Sequence, residues 1–149
     1  MPTQFRMNEG KTGPEPISTP RLVLRHADDL SLQASVKGVE AFSQITGCQV
    51  SPDWPPNHWD AQAVTWLMGQ LTLSPGEVMR RPWWIALKDG TVIGTLGTKG
   101  PPDADGVVEI GYSIVTSQWR HGYATEAVGA VVRWLLNDPR VSQVCAHTL

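Results

Sequence analysis

Between Gln118 and Ala127 the chain reads Gln-Trp-Arg-His-Gly-Tyr-Ala-Thr-Glu-Ala, a tight turn leading from an alternating apolar run into the best helical pattern of the sequence. The first N–H groups of a helix have no partner inside it and carry the positive end of the helix dipole, so such a junction suits an anion, and a phosphate fits there. Gly122 lets the main chain come close to a ligand, Ala124 is too small to block it, and Thr125 offers a hydroxyl within the first turn. Any strand–turn–helix unit can carry a Gly and an Ala at its turn, so the spacing alone does not decide between an anion cradle and a plain connection.

The elements that would hold this turn follow from periodicity. Ala124, Ala127, Val128, Val131, Val132 and Leu135 form a stripe of helical period that would lie on a sheet, and Asn137-Asp138-Pro139 stops it. Before the turn, Val107 to Val115 reads as a strand with Val108, Ile110, Tyr112 and Ile114 on one face and Glu109, Gly111 and Ser113 on the other. Trp83 to Leu87 and Thr91 to Thr98 read as a hairpin about Lys88-Asp89-Gly90, and Val141 to Thr148 as a last strand. The glycines at 94, 97 and 100 lack the spacing and the following helix of a dinucleotide fingerprint, and mark bulges or close approaches instead. Gly111 to Val115 is no nucleophile elbow, because Val115 stands where a second glycine is needed.

Upstream, Leu22 to Leu24 is a short strand, Asp28-Asp29 caps a first helix from about Leu30 to Phe42, and Asp60 caps a second from Ala61 to about Leu73, ended by Ser74-Pro75-Gly76. The loop between them, Cys48 to Trp59, is too rich in proline for regular structure and too aromatic for a solvated linker. Its His58, taken alone, reads as a surface residue. Residues 1–18, polar and broken by Gly and Pro, read as a flexible tail.

With 149 residues and 41% hydrophobic content the chain is one domain long, and a formal charge of −2 gives no broad attraction for nucleic acid. Cys48 and Cys145 lack a paired spacing and suit thiols of a reducing compartment, which points to the cytoplasm. Neither a signal peptide nor a bilayer-length apolar stretch is present, so a soluble protein without a membrane partner is expected.

The segment Glu109 to Ala127 resembles the acetyl-coenzyme A motif of the GNAT superfamily of N-acyltransferases, in the branch similar to ribosomal-protein N-terminal acetyltransferases. Thr19-Pro20-Arg21-Leu22-Val23-Leu24-Arg25 resembles that branch's first strand, and Val141 to Thr148 its fifth. The superfamily's Arg/Gln-x-x-Gly-x-Gly/Ala pattern would begin at Trp119, where this chain departs from it. The resemblance implies an α/β/α sandwich, with a mixed and mainly antiparallel sheet over residues 19–149. It also implies a chain that stops after the fifth strand, without the closing helix and hairpin.

The same resemblance implies acetyl-coenzyme A as donor and no metal. The pyrophosphate would rest on Arg120, His121, Gly122, Tyr123, Ala124 and Thr125, with Trp119 beside them, and Arg120 and His121 would add positive charge. The thioester carbonyl would be held by an N–H near Ser113 or Ile114, and the pantetheine arm would pair with the strand end through Val115. Glu109 is the carboxylate to take the proton of the acceptor amine, directly or through water. Trp54 and Trp59 would either line the acceptor's path or cap the core edge. The acid for the leaving thiolate has no counterpart in the family's usual place, although Tyr112 and Tyr123 are available.

The expected function is N-acetylation of a primary amine on a small molecule or a peptide N-terminus. A catalytically impaired acyl-coenzyme A-binding or interaction domain is the alternative. A last strand with an unguarded edge predicts a homodimer or larger homo-oligomer through Val144, Ala146 and Thr148.

Overall fold

The computed structural model describes residues 15–73 and 81–146. In order these form β1 (Ile17–Ser18), β2 (Leu22–His26), α1 (Asp29–Ala34), α2 (Val39–Thr46), α3 (Ala61–Leu73), β3 (Trp83–Leu87), β4 (Val92–Thr98), β5 (Val107–Ile114), a 3-10 turn (Thr116–Gln118), α4 (Tyr123–Leu136) and β6 (Gln143–Ala146). The strands make one sheet in the order β1-β2-β3-β4-β5-β6. Its first four pairings are antiparallel, and β5 with β6 is parallel. The mixed, mainly antiparallel α/β architecture is the expected one.

Helices cover both faces, and two adjacent tryptophans show how. Successive strand residues point to opposite faces, so Trp83 and Trp84 part company. Trp83 meets Trp134 of α4 edge-on at 5.1 Å, while Trp84 meets Phe42 of α2 at 4.8 Å and Trp54 at 5.9 Å. Both are fully buried, together with Leu22, Leu24, Ile85, Ile93, Leu96 and Ile110, so one core runs through the sheet.

Two expectations are corrected. The sheet has six strands and not five, because Ile17–Ser18, assigned to the tail, pairs with Leu24 and Val23 across a turn closed by the Thr19 N–H to Leu22 O bond of 2.9 Å. A two-residue strand gives no alternation to read, which hid it. The first helix is two helices: Asp28 caps α1 in a capping box with Ser31, but Gly38, at φ +116°, leaves the right-handed region and starts α2 as its N-cap. Tyr112 shares the parity of Val108 and Ile110, yet it is 41% exposed and belongs to a pocket wall.

Asp60 caps α3, its Oδ1 accepting the Ala63 N–H at 2.8 Å. The stop at Ser74-Pro75-Gly76, the tail over residues 1–14 and the last strand's residues 147–149, with Thr148, lie outside the described residues. No helix among the described residues is long and apolar enough to cross a membrane, and none of them forms a metal-holding cluster.

Candidate active site

The turn before α4 is built as an open helix start. Gly122 is the N-cap at φ +79° and provides no side-chain cap, so the N–H groups of the first turn point outward unclaimed by a capping side chain. Arg120 also adopts a left-handed conformation, at φ +65°. Together they turn the chain sharply out of the 3-10 segment into the helix.

A buttress from the far end of the sequence holds this turn. Arg21 donates through Nη1 to the His121 carbonyl at 2.7 Å and through Nε to Glu126 Oε1 at 2.7 Å, and its guanidinium lies 4.6 Å from the Tyr123 ring centre. Glu126 also accepts from the Arg21 N–H and the Thr19 hydroxyl. Burial pushes the Glu126 carboxyl up, but the hydrogen bonds from Thr19 and Arg21, with the guanidinium charge, hold it below the ordinary carboxylate range. No local pattern in the sequence could reveal these partners of Glu126, which lie more than a hundred residues away.

The second wall is the end of β5. Its residues Val107 to Ile110 pair with Gln143 to Ala146 of β6, and no described strand pairs with Gly111 to Ile114 on that side. Main-chain groups alternate between neighbours in an antiparallel ladder. Glu109 O accepts from Lys99 N, and Val115 N donates to Ile93 O, so the odd-numbered residues bond toward β4. The even-numbered Tyr112 and Ile114 therefore turn their main-chain groups to the open side, where the Trp119 indole N–H already reaches the Ile114 carbonyl at 2.6 Å.

These walls enclose a cavity of about 410 Å³. It is lined by Tyr112, Ser113, Ile114, Gln118, Trp119, Arg120, Gly122, Tyr123, Ala124 and Thr125. Of the residues expected to hold the cofactor, Val115 and His121 are not in the lining. Val115 is fully buried against β4, and His121 stacks on Tyr123 at 5.5 Å with Nδ1 3.2 Å from the Gln118 carbonyl. Tyr112 and Gln118 join the lining unforeseen.

Glu109 lies outside this lining, on the face of β5 that also carries Gly111 and Ser113. Its carboxylate is 3.1 Å from Lys99 Nζ, and its side chain is 33% exposed. Trp54, 6% exposed, donates its indole N–H to the Ser35 carbonyl at 2.8 Å, and Trp59 donates to the Ser35 hydroxyl at 2.9 Å. Both pack against Trp84, so these two indoles stand at the core edge and not in the cavity.

Their loop is nonetheless fastened to the site. The Ser113 hydroxyl donates to the Asn57 carbonyl at 3.0 Å, and Asp53 accepts from the N–H of Ser117 at 2.9 Å and its hydroxyl at 3.0 Å. Burial pushes the Asp53 carboxyl up, but hydrogen bonds from Ser51 and Ser117 hold it below the usual carboxylate range.

An uncapped helix start with a nearby guanidinium, running into an unpaired strand edge, matches a ligand with phosphates at one end and an amide-bearing arm. The sequence matches the family described as acetyltransferase (GNAT) domain over residues 21–149. The chain belongs to the GNAT acetyltransferase family. Its sequence is 29% identical over 132 residues to an uncharacterized N-acetyltransferase, YjdG, of Bacillus subtilis, covering 88% of this chain and 78% of the relative.

In fold, this GNAT domain is similar to the Salmonella typhimurium acetyltransferase that modifies the N-terminal serine of ribosomal protein L7/L12. That match has a TM-score of 0.59 and 18% identity, over 89% of this chain and 74% of the other. A ribosomal L7/L12 α-N-protein acetyltransferase in complex with coenzyme A gives a TM-score of 0.59 at 20% identity, over 89% and 73% of the two chains.

Proposed function

We propose that this GNAT domain transfers the acetyl group of acetyl-coenzyme A to a primary amine carried by a small molecule or a peptide N-terminus. The convergence of the uncapped α4 start and the unpaired end of β5 on one cavity carries this reading. Acetyl-coenzyme A supplies the acyl group as a thioester. The first-turn N–H groups of α4, with Arg120, hold its phosphates. The Ile114 N–H, turned to the open side of β5, is placed to polarise a carbonyl lying along that edge. Tyr112 and Tyr123 bring phenols to the cavity, either of which can return a proton to a leaving thiolate.

The acceptor approaches from the opposite face of the sheet, where Glu109 receives its proton through water and the Ser51–Trp59 loop forms a wall. The ribosomal-protein acetyltransferases among the similar folds make free peptide N-termini a first group of acceptors to try. Two free thiols fit a reducing cytoplasm, and β6, the last strand of the described sheet, is the edge through which we propose a homodimer.

The test is release of free coenzyme A with a panel of small amines and short peptides. Turnover with any of them supports the transferase. Tight coenzyme A binding with no turnover across the panel replaces it with a binding domain that has lost the reaction, a reading consistent with Glu109 lying outside the cavity and paired with Lys99.

A further inference from the structure

The helix start that faces the cavity also carries a carboxylate. Glu126 stands in the first turn of α4, its N–H bonded to the Gly122 carbonyl at 3.1 Å. Helical side chains lean back toward the N-terminus, so its negative charge belongs to the same end of α4 as the open N–H groups. A first-turn carboxylate suits the helix dipole, but it repels any second anion brought to that end. Among the described residues Arg120 is the one charged residue of the cavity lining. A single guanidinium does not offset both a carboxylate and a pyrophosphate.

Arg21 supplies the missing charge from the turn between β1 and β2. Its Nε donates to Glu126 Oε1 at 2.7 Å and its main-chain N–H to Oε2 at 2.8 Å, while the Thr19 hydroxyl also donates to Oε2. Both carboxylate oxygens are thus engaged on the Arg21 side, and the Glu126 side chain is only 16% exposed. The same guanidinium touches the turn itself. Nη1 donates to the His121 carbonyl at 2.7 Å, and Nη2 would lie 3.3 Å from a Cβ on Gly122, which sets a cation against the cap of α4. The Arg21 side chain is 47% exposed, and an ion pair so open to water adds little to stability. Its concentration of contacts on one carboxylate and one turn therefore points to the ligand that the turn receives.

We propose that Arg21 is a positioning residue for the phosphates of coenzyme A: it neutralises Glu126 and ties the carboxylate back, so that the start of α4 stays open and positive. Without Arg21 the carboxylate faces the phosphates uncompensated. This rests on the reading of the cavity as the acetyl-coenzyme A site.

Calorimetric titration with coenzyme A tests this, run well below the lowest melting temperature among the variants so that a folding defect is not read as lost affinity. Arg21→Gln should raise the dissociation constant about 5- to 30-fold, the effect of an unmasked charge roughly 8 Å from another near a protein surface. Glu126→Gln breaks the same contacts from the other side, yet it should tighten binding about 2- to 10-fold, because the guanidinium then stands uncompensated beside the phosphates. The double variant Arg21→Gln/Glu126→Gln should return to within about threefold of wild type, since the exposed pair by itself is worth little. Arg21→Lys, which keeps the charge without the fork, should lose less than Arg21→Gln. Raising salt from roughly 0.1 M to about 1 M should shrink the deficit of Arg21→Gln relative to wild type at the same salt, because screening acts on a charge and not on a lost brace. Weaker binding in Glu126→Gln, or a double variant no better than Arg21→Gln, shows a mechanical brace and overturns the proposal, as does wild-type affinity in Arg21→Gln. Where Arg21→Gln does not fold, the sign of the Glu126→Gln effect decides by itself. Failure of the wild-type protein to bind coenzyme A overturns the reading of the cavity instead, and this inference with it.

Discussion

Replacing Gly122 with valine tests the cradle most directly. Gly122 sits at φ +79°, and a Cβ there would stand 3.3 Å from Arg21 Nη2, the guanidinium whose other nitrogens hold the His121 carbonyl and Glu126. A left-handed conformation costs a side-chain-bearing L residue roughly 1–2 kcal/mol. The free protein can shed that strain by rotating the turn, but a phosphate held on the first-turn N–H groups requires the original geometry. Binding must then restore the strain, which corresponds to a coenzyme A dissociation constant raised about 5- to 30-fold. Calorimetric titration of Gly122→Val with coenzyme A measures this, and Gly122→Asn, which tolerates a positive φ, should lose much less. The core lies elsewhere, so far-ultraviolet circular dichroism should be unchanged. Wild-type affinity in the valine protein would refute the assignment of this turn to the phosphates.

Glu109→Gln retains the shape but cannot accept a proton, so the rate should fall roughly 10²- to 10⁴-fold with coenzyme A affinity intact, and an unaltered pH–rate profile would remove Glu109 from the reaction. Gly94→Ala should destabilise the fold by about 1–3 kcal/mol, since its Cβ would meet the Ser113 carbonyl at 2.5 Å; chemical denaturation with an unshifted midpoint would contradict that close approach. His26, stacked on Trp83 with both ring nitrogens buried and unpartnered, has its pKa pushed down from 6.5 to about 3, first by burial and then by the Arg81 charge. The unfolded chain therefore takes up this proton first, and stability complete above pH 6.5 declines as pH falls toward 3. The His26 contribution to that decline at pH 5 should be about 2 kcal/mol. His26→Phe should remove that part of the slope between pH 7 and 5, and identical slopes in the two proteins would show that the imidazole does not titrate this way.

The sequence alone determined what is local and periodic. The stripe from Ala124 to Leu135, the Asp28 and Asp60 caps, the Lys88-Asp89-Gly90 hairpin and the turn at Gly122 were legible because each depends on residues within a few positions of one another. The family motif was legible for the same reason, since helix start, glycine and preceding strand are contiguous. Tertiary structure decided whatever depends on pairing across the chain. Arg21 supports the cradle from the β1–β2 turn a hundred residues away, Asp53 and Ser113 fasten the proline-rich loop to the site, and the register that sets Gly97 opposite Gly111 exists only once β4 and β5 meet. Trp54 and Trp59 show the limit most plainly: composition said that the loop folds onto something, but only the hydrogen bonds to Ser35 and the contact with Trp84 place both indoles at the core edge. An aromatic residue buries its surface equally well against a core or a ligand. Which of the two it meets is set by the packing of elements distant in sequence.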